Sequence, residues 1–68
     1  MNYKITFLYN DNKYREIVAT KKDKEKLITD LMNNQNLRFY RINYNDGEVF
    51  INVYNLLDII VMPEEKND

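Results

Sequence analysis

The feature that most constrains the fold is a turn signal near the middle of the chain, Asn45-Asp46-Gly47. An Asp-Gly pair flanked by alternating apolar residues is typical of a β-hairpin with a two-residue type I′ loop, whose central residues take positive φ. With Asp46 and Gly47 as those central residues, the predicted cross-strand pairs are Tyr44 with Val49, Ile42 with Ile51 and Tyr40 with Val53. A three-residue bulged loop would shift this pairing by one residue.

The predicted hairpin has two different faces, because successive side chains of a strand alternate. One face is apolar and holds the paired residues just named. The opposite face carries Phe39, Arg41, Asn43, Phe50, Asn52 and Tyr54. The hairpin therefore presents a second, aromatic surface beside its apolar one.

Period-two alternation predicts further strands at residues 3–9, 14–19 and 58–62, the last stopped by Pro63, which lacks the N–H that a ladder needs. The hairpin strands cover residues 37–44 and 48–53, followed by a bend at 54–57. The loop between the first two strands leaves their register open. A two- or four-residue loop places Ile5 opposite Val18, whereas a three-residue loop puts Ile17 and Ala19 on the apolar face.

One helix is predicted between these strand pairs, from Thr20 to Asn34. Thr20 is a good N-cap, and Asp23 follows at the capping-box position. A narrow apolar stripe at helical spacing is formed by Leu27, Ile28, Leu31 and Met32. Residues 33–36, which are three Asn and one Gln, end the helix, since Asn accepts the left-handed cap conformation.

The resulting fold class is α+β, with an antiparallel sheet of four to five strands, one helix on one face and the order β-β-α-β-β-β. One helix laid across one sheet satisfies both apolar surfaces. Residues 1–63 form a single domain, and residues 64–68 form a charged C-terminal tail that we expect to be frayed.

Composition argues against chemistry at this domain. Among 68 residues there is no Cys, no His and a single Gly. These absences argue against a disulfide, a thiolate or zinc-finger metal site, the usual general base and a Gly-rich phosphate loop. We therefore expect no catalytic residue, no metal and no cofactor, and predict that the protein is not an enzyme.

The distribution of apolar residues along the chain also bears on where in the cell the protein is expected. The longest apolar run, residues 59–62, is far too short to span a membrane. Residues 1–5 begin a strand pattern and not a signal peptide, so we expect a cytoplasmic protein with no membrane partner.

The aromatic face points to partner binding. A single helix covers only one side of a sheet, which leaves Phe39, Arg41, Phe50 and Tyr54 on the other side. Aromatic residues around an arginine are typical of interface hot spots. The expected partner is another protein or a second copy of the chain, with strand addition at exposed edges open to either. Alternatively, the last strand covers this patch.

A single-stranded nucleic acid is the alternative partner. Arg38-Phe39-Tyr40-Arg41 interleaves basic and aromatic residues, which stacking platforms for single strands also do. The binding residues would be Lys21, Lys22, Lys24, Arg38 and Arg41. Against this, the net charge is −1, whereas dedicated nucleic-acid binders are basic. The abundance of Lys and Asn also fits an AT-rich genome.

The layout resembles the small accessory proteins of phages and mobile elements of AT-rich Gram-positive bacteria. The resemblance lies in the opening hairpin, the Thr-capped charged helix and two segments, Asn45-Asp46-Gly47-Glu48-Val49-Phe50-Ile51-Asn52-Val53 and Leu57-Asp58-Ile59-Ile60-Val61. It implies a protein that binds and redirects a host protein. An inhibitor of host defence, such as an anti-CRISPR protein, is one option.

Overall fold

The computed structural model describes residues 1–34 and 36–64. Its elements are β1 (Asn2–Tyr9), β2 (Tyr14–Thr20), α1 (Lys21–Asn33), β3 (Phe39–Tyr44), β4 (Gly47–Asn52), a 3-10 turn (Val53–Asn55) and β5 (Leu56–Pro63). The predicted α+β class and the order β-β-α-β-β-β are confirmed. Pro63 is the last residue of β5, as the sequence predicts, and its missing N–H costs no bond to β1, because the next residue, Glu64, is the one that bonds to β1.

The strands form two antiparallel sheets, so the prediction of one sheet is wrong. The first sheet has the order β2-β1-β5, and the second contains β3 and β4. The 3-10 turn after β4 redirects the chain, and β5 pairs with β1, from Tyr3 opposite Pro63 to Leu8 opposite Asp58. This pairing brings Ile59 and Val61 beside Phe7 and Ile5, which continues the apolar face of the first sheet.

The loop of the first hairpin has three residues, which selects one of the two registers left open by the sequence. The Tyr9 N–H donates to the Lys13 carbonyl at 2.9 Å. Asn12 has φ of 63°, the left-handed residue that three-residue hairpin loops require. Ile5 consequently lies opposite Ile17, and Ala19 shares that face.

The turn of the second hairpin lies one residue earlier than predicted, which shifts the cross-strand pairing by two residues. Its central residues are Asn45 and Asp46, with φ of 51° and 63°, and Gly47 already belongs to β4. The observed pairs are Tyr44 with Gly47, Ile42 with Val49 and Tyr40 with Ile51. Asn and Asp tolerate the left-handed region well enough that Gly is not needed there. Because the shift is an even number, every side chain within β3 and β4 keeps its predicted face.

Helix α1 begins where the sequence predicts. The Thr20 hydroxyl accepts the Asp23 N–H at 3.2 Å, which satisfies one of the free donors at the helix start. The helix ends within the predicted stretch, residues 33–36, at Asn34, which has φ of −125° and donates through its side-chain amide to the Asp30 carbonyl at 2.7 Å. The next position, where a left-handed cap residue would stand, lies outside the described residues. Met32 is also 73% exposed, so the apolar stripe ends before it.

The core lies where the inner faces of both sheets meet the helix. Its buried members are Ile5, Phe7, Ile17, Leu27 and Ile51. The side chains that pack around them come from every element of the fold. A hydrogen bond of 2.7 Å from the Tyr40 hydroxyl to the Asp30 carboxylate ties β3 to the helix. The helix and the inner faces of both sheets therefore share one core.

The start and end of the described chain lie together. The Glu64 N–H donates to the Asn2 carbonyl at 2.9 Å, which extends the pairing of β1 with β5. The rest of the predicted tail, residues 65–68, lies outside the described residues. Across residues 1–34 and 36–64, no helix has the length and apolar character needed to cross a bilayer.

Candidate functional site

The outward surface of the β3–β4 hairpin, called here the outer face, is open to solvent. It carries three cross-strand pairs, Phe39 with Asn52, Arg41 with Phe50 and Asn43 with Glu48, which alternate along the strands with the residues that pack on the core. Phe39 is 55% exposed and Phe50 is 60% exposed. β5 pairs with β1 and leaves these rings uncovered, so the alternative in which the last strand buries the patch is wrong.

Arg41 lies at the centre of the outer face. It is directly opposite Phe50 in the ladder, and Phe39 is two residues before it on the same strand face. Its Nε atom is 3.9 Å from the Glu48 carboxylate, and the side chain remains 65% exposed. An ion pair this long and this exposed contributes little to stability, so the guanidinium keeps most of its capacity to bind.

Tyr54, the fourth residue of the predicted patch, has a different position from the other three. It belongs to the 3-10 turn and not to the β4 ladder, and it is 75% exposed. The guanidinium carbon of Arg38 is 5.7 Å from the centre of its ring, within cation–π distance. The structure therefore brings Phe39, Arg41 and Phe50 together on one hairpin and pairs Tyr54 with Arg38 beyond its end.

A groove of about 500 Å³ extends the outer face toward the loop of the first hairpin. Lys13, Tyr14 and Arg15 line one side of it, and Phe50 and Asn52 line the other. Sequence reasoning missed Lys13 and Arg15, because their proximity to Phe50 depends on how the two sheets pack and not on any local pattern. Every arginine of the chain thus lies on or beside this surface.

The lysines at the start of α1 have other neighbours. Lys21 and Lys22 are exposed in the first helical turn. Lys24 is half-buried, with its Nζ atom 4.3 Å from the centre of the Tyr3 ring. The residues predicted for nucleic-acid binding therefore fall into two groups. These lysines and the pair Arg38 and Arg41 make their described contacts with different parts of the fold.

The side chain of Tyr40 has a raised pKa, and the structure shows the cause. Burial, then the hydrogen bond to Asp30 and its negative charge, raises the pKa of Tyr40 from its ordinary 10.0 to about 12. This phenol stays neutral and donates to the carboxylate, so it holds β3 against the helix. Within the described ranges, no cluster of three or more His, Cys, Asp or Glu side chains is placed to hold a metal ion.

No protein-family model, curated protein or solved structure matches this chain. The case for a function therefore depends on the residues of this chain alone.

Proposed function

We propose that the protein is a non-enzymatic protein-binding module that docks through the outer face of β3 and β4. The observation that carries this proposal is the exposure of Phe39 and Phe50 on either side of Arg41. An inhibitor or regulator of a host protein, as the resemblance to phage accessory proteins implies, would use such a surface.

The outer face releases free energy only when another molecule covers it. Each large ring buries apolar area on docking, and a buried aromatic side chain contributes about 1.5–3 kcal/mol. Arginine adds planar, directional hydrogen bonding at the centre of the patch. The rings are held on a paired hairpin, so docking orders little backbone and loses less entropy than a flexible loop would.

The charge around the patch favours a partner surface that carries carboxylates. The outer face, its groove and Arg38 together hold Lys13, Arg15, Arg38 and Arg41 against Asp11 and Glu48. Four of the ten cationic residues and two of the eleven acidic ones lie here, so this surface carries +2 and the remainder of the chain −3. Charge complementarity of this kind steers association and selects partners.

The test is a selection from a library of random twelve-residue peptides displayed on phage, with the wild-type protein as bait. Enriched peptides are synthesised, and their dissociation constants are measured by fluorescence anisotropy. We expect Phe39→Ser and Phe50→Ser each to weaken binding at least about tenfold, which corresponds to roughly 1.4 kcal/mol. Met62→Ser is the matched control, because Met62 is equally exposed but lies on the other sheet. Enriched peptides that bind all three variants as tightly as the wild type would exclude the outer face.

Two further measurements separate the competing functions. A labelled single-stranded DNA of twenty thymidines is titrated at two salt concentrations. Salt-dependent binding that Arg38→Glu and Arg41→Glu abolish would replace the proposal with nucleic-acid binding. Sedimentation across a concentration series tests self-association, and a dimer lost in Phe50→Ser would make a second copy the partner.

A further inference from the structure

A second groove separates the free edges of the two sheets. β2 is an end strand of the first sheet, and β3 is an end strand of the second. The groove has a volume of about 410 Å³ and is lined by residues 17–20 and 40–45. Because side chains alternate between the faces of a strand, a groove that touches consecutive residues of both strands meets them edge-on.

The edge of β2 presents backbone groups to this groove. The Val18 N–H is directed away from β1 and donates to the Tyr44 hydroxyl at 3.4 Å. In an antiparallel ladder, every second residue has its N–H and C=O turned outward. Thr20 and Glu16 therefore share this orientation with Val18. The bond to Tyr44 is long for N–H to O, where about 2.9 Å is usual, so a better acceptor would replace it readily.

The free edge of β3 also presents backbone N–H and C=O groups that β4 does not use. The Val53 N–H donates to the Arg38 carbonyl at 2.9 Å, which identifies Arg38 as a residue whose backbone is turned toward the β4 side. The same alternation then turns Tyr40 and Ile42 toward β4 and directs the N–H and C=O groups of Arg41 and Asn43 away from it. Among the residues that the structure describes, no ladder joins β3 to β2.

We propose that this groove accepts an extended segment of a partner protein, which pairs as an added strand with β2, with β3 or with both. Only a polypeptide backbone offers N–H and C=O groups at the repeat that two strand edges require. The inference goes beyond the outer face, since it concerns a different surface and a different kind of contact. Pairing with both edges would join the two sheets into one.

The lining of the groove specifies the side chains of that segment. Its apolar wall includes Ile17, Leu27 and Ile42, so every second side chain of the segment should be apolar and directed inward. Lys26 and Arg41 outnumber the one lining carboxylate, Asp23, so the groove is positive. We therefore expect acidic residues among the outward side chains of the segment, for charge complementarity.

Proline at an edge provides a specific test. Val18→Pro removes an N–H that β1 does not use, so the β1–β2 ladder should persist. Leu57→Pro is the matched control. Leu57 is exposed on β5, the strand at the opposite edge of the same sheet, and lies beside the irregularity in the β1–β5 ladder. The probes are peptides enriched from the random library on wild-type protein. We expect a subset that binds Val18→Pro at least about tenfold more weakly and binds Leu57→Pro and Phe50→Ser like the wild type.

A second measurement leaves the protein unchanged, so it remains informative if Val18→Pro does not fold. The same peptides are synthesised with N-methyl groups on alternate residues, which blocks strand pairing and preserves the side chains. We expect binding to be lost, and the amides of Val18, Thr20, Arg41 and Asn43 to exchange hydrogen more slowly with the unmethylated peptide. The inference is overturned if no enriched peptide loses binding on methylation or on Val18→Pro. If peptide binding is weakened by Phe50→Ser and by neither methylation nor Val18→Pro, strand addition at this groove is excluded and the proposed function at the outer face is retained.

Discussion

The two sheets differ in how much of the core each one supplies. The first sheet contributes Ile5, Phe7 and Ile17, all buried, whereas the second contributes only Ile51. The first also has three strands, with β1 paired on both sides. The second is a two-stranded ribbon, which is marginally stable at best when isolated in water. The ribbon therefore depends on the first sheet and the helix for its order.

This difference explains why the candidate binding surface lies on the ribbon. A central strand such as β1 has both edges paired and its largest side chains buried. Each strand of the ribbon keeps one edge free, and one face of the ribbon is exposed, so it can offer Phe39, Arg41 and Phe50 to a partner. The ribbon is attached to the rest of the fold by Ile51 in the core, by half-buried side chains packed around it, and by hydrogen bonds from Tyr40 to Asp30 and from Val18 to Tyr44.

The largest expected effect comes from the first sheet. Phe7→Ala removes a fully buried ring from the middle of β1 and should lower the free energy of unfolding by about 3–5 kcal/mol. Small domains have only about 5–15 kcal/mol in total, so we expect much of the variant to unfold below body temperature. Urea denaturation followed by circular dichroism measures this. A loss below 1 kcal/mol would show that the first sheet is not the main source of stability.

A smaller and more local effect is expected on the ribbon. Ile51→Ala should cost about 2–5 kcal/mol by the same cavity argument. Because Ile51 is the only buried side chain described on the ribbon, the loss should appear first as local opening. Native-state hydrogen exchange should then show amides of β3 and β4 losing protection while those of β1 and β2 retain it. Uniform loss in both sheets would mean that the two unfold as one unit.

Removal of one hydroxyl should loosen the ribbon still less. Tyr40→Phe deletes the hydrogen bond to Asp30 and should cost about 1 kcal/mol at neutral pH. In the wild type, the pKa of Tyr40 is raised from 10.0 to about 12, so the protonated phenol is favoured by folding. That contribution is fully present below pH 10 and is lost as the pH rises to about 12.

The measurement is the stability difference between wild type and Tyr40→Phe across pH 8 to 12. We expect the difference to shrink as the pH rises through this interval. A difference that stays constant would show that the phenol does not donate to Asp30 in solution. Tyr54→Phe is the control at neutral pH, because it removes the same hydroxyl from a side chain that is 75% exposed and should change the free energy of unfolding little.

The smallest effect concerns the loop of the ribbon. Asp46→Gly relieves a left-handed residue at φ of 63° and should raise the free energy of unfolding by about 0.5 kcal/mol. Asp11→Gly is the control in the loop of the first hairpin, since the positive φ there is at Asn12 and not at Asp11. Thermal unfolding should show a higher midpoint for the first variant only. A higher unfolding midpoint in both variants would show that the effect comes from loop composition and not from the positive φ at Asp46.

The features that were predictable from sequence are those set by neighbouring residues. Thr20 caps the helix because its hydroxyl reaches an N–H three residues away. The faces of β3 and β4 are correct because alternation depends only on strand conformation. The turn signal predicts Asp46 and Gly47 as the central residues, whereas the structure uses Asn45 and Asp46. An even shift preserves the faces, so alternation alone does not distinguish these two registers.

The split into two sheets and the position of Arg15 depend on distant contacts. Pairing of β5 with β1 joins residues more than fifty positions apart, such as Ile5 and Val61. No local pattern encodes that choice, because alternation within β5 does not specify which strand it pairs with. Arg15 reaches the groove beside Phe50 only after the two sheets have packed. The residues that share the aromatic face were therefore predictable, whereas its exposure, which depends on where β5 pairs, and its positive surroundings were not.

The hydrogen bond between Glu64 and Asn2 has a consequence for chain connectivity. Neighbouring strands are about 5 Å apart, so a short Gly-Ser linker is long enough to join these two residues. The chain is then open to circular permutation, with new ends at the solvent-exposed turn between Asn45 and Asp46. In such a permutant, β5 and β1 become a hairpin of adjacent strands, and the ribbon is divided between the two ends of the chain. The order in which the strands are synthesised is thus separable from the fold that they reach.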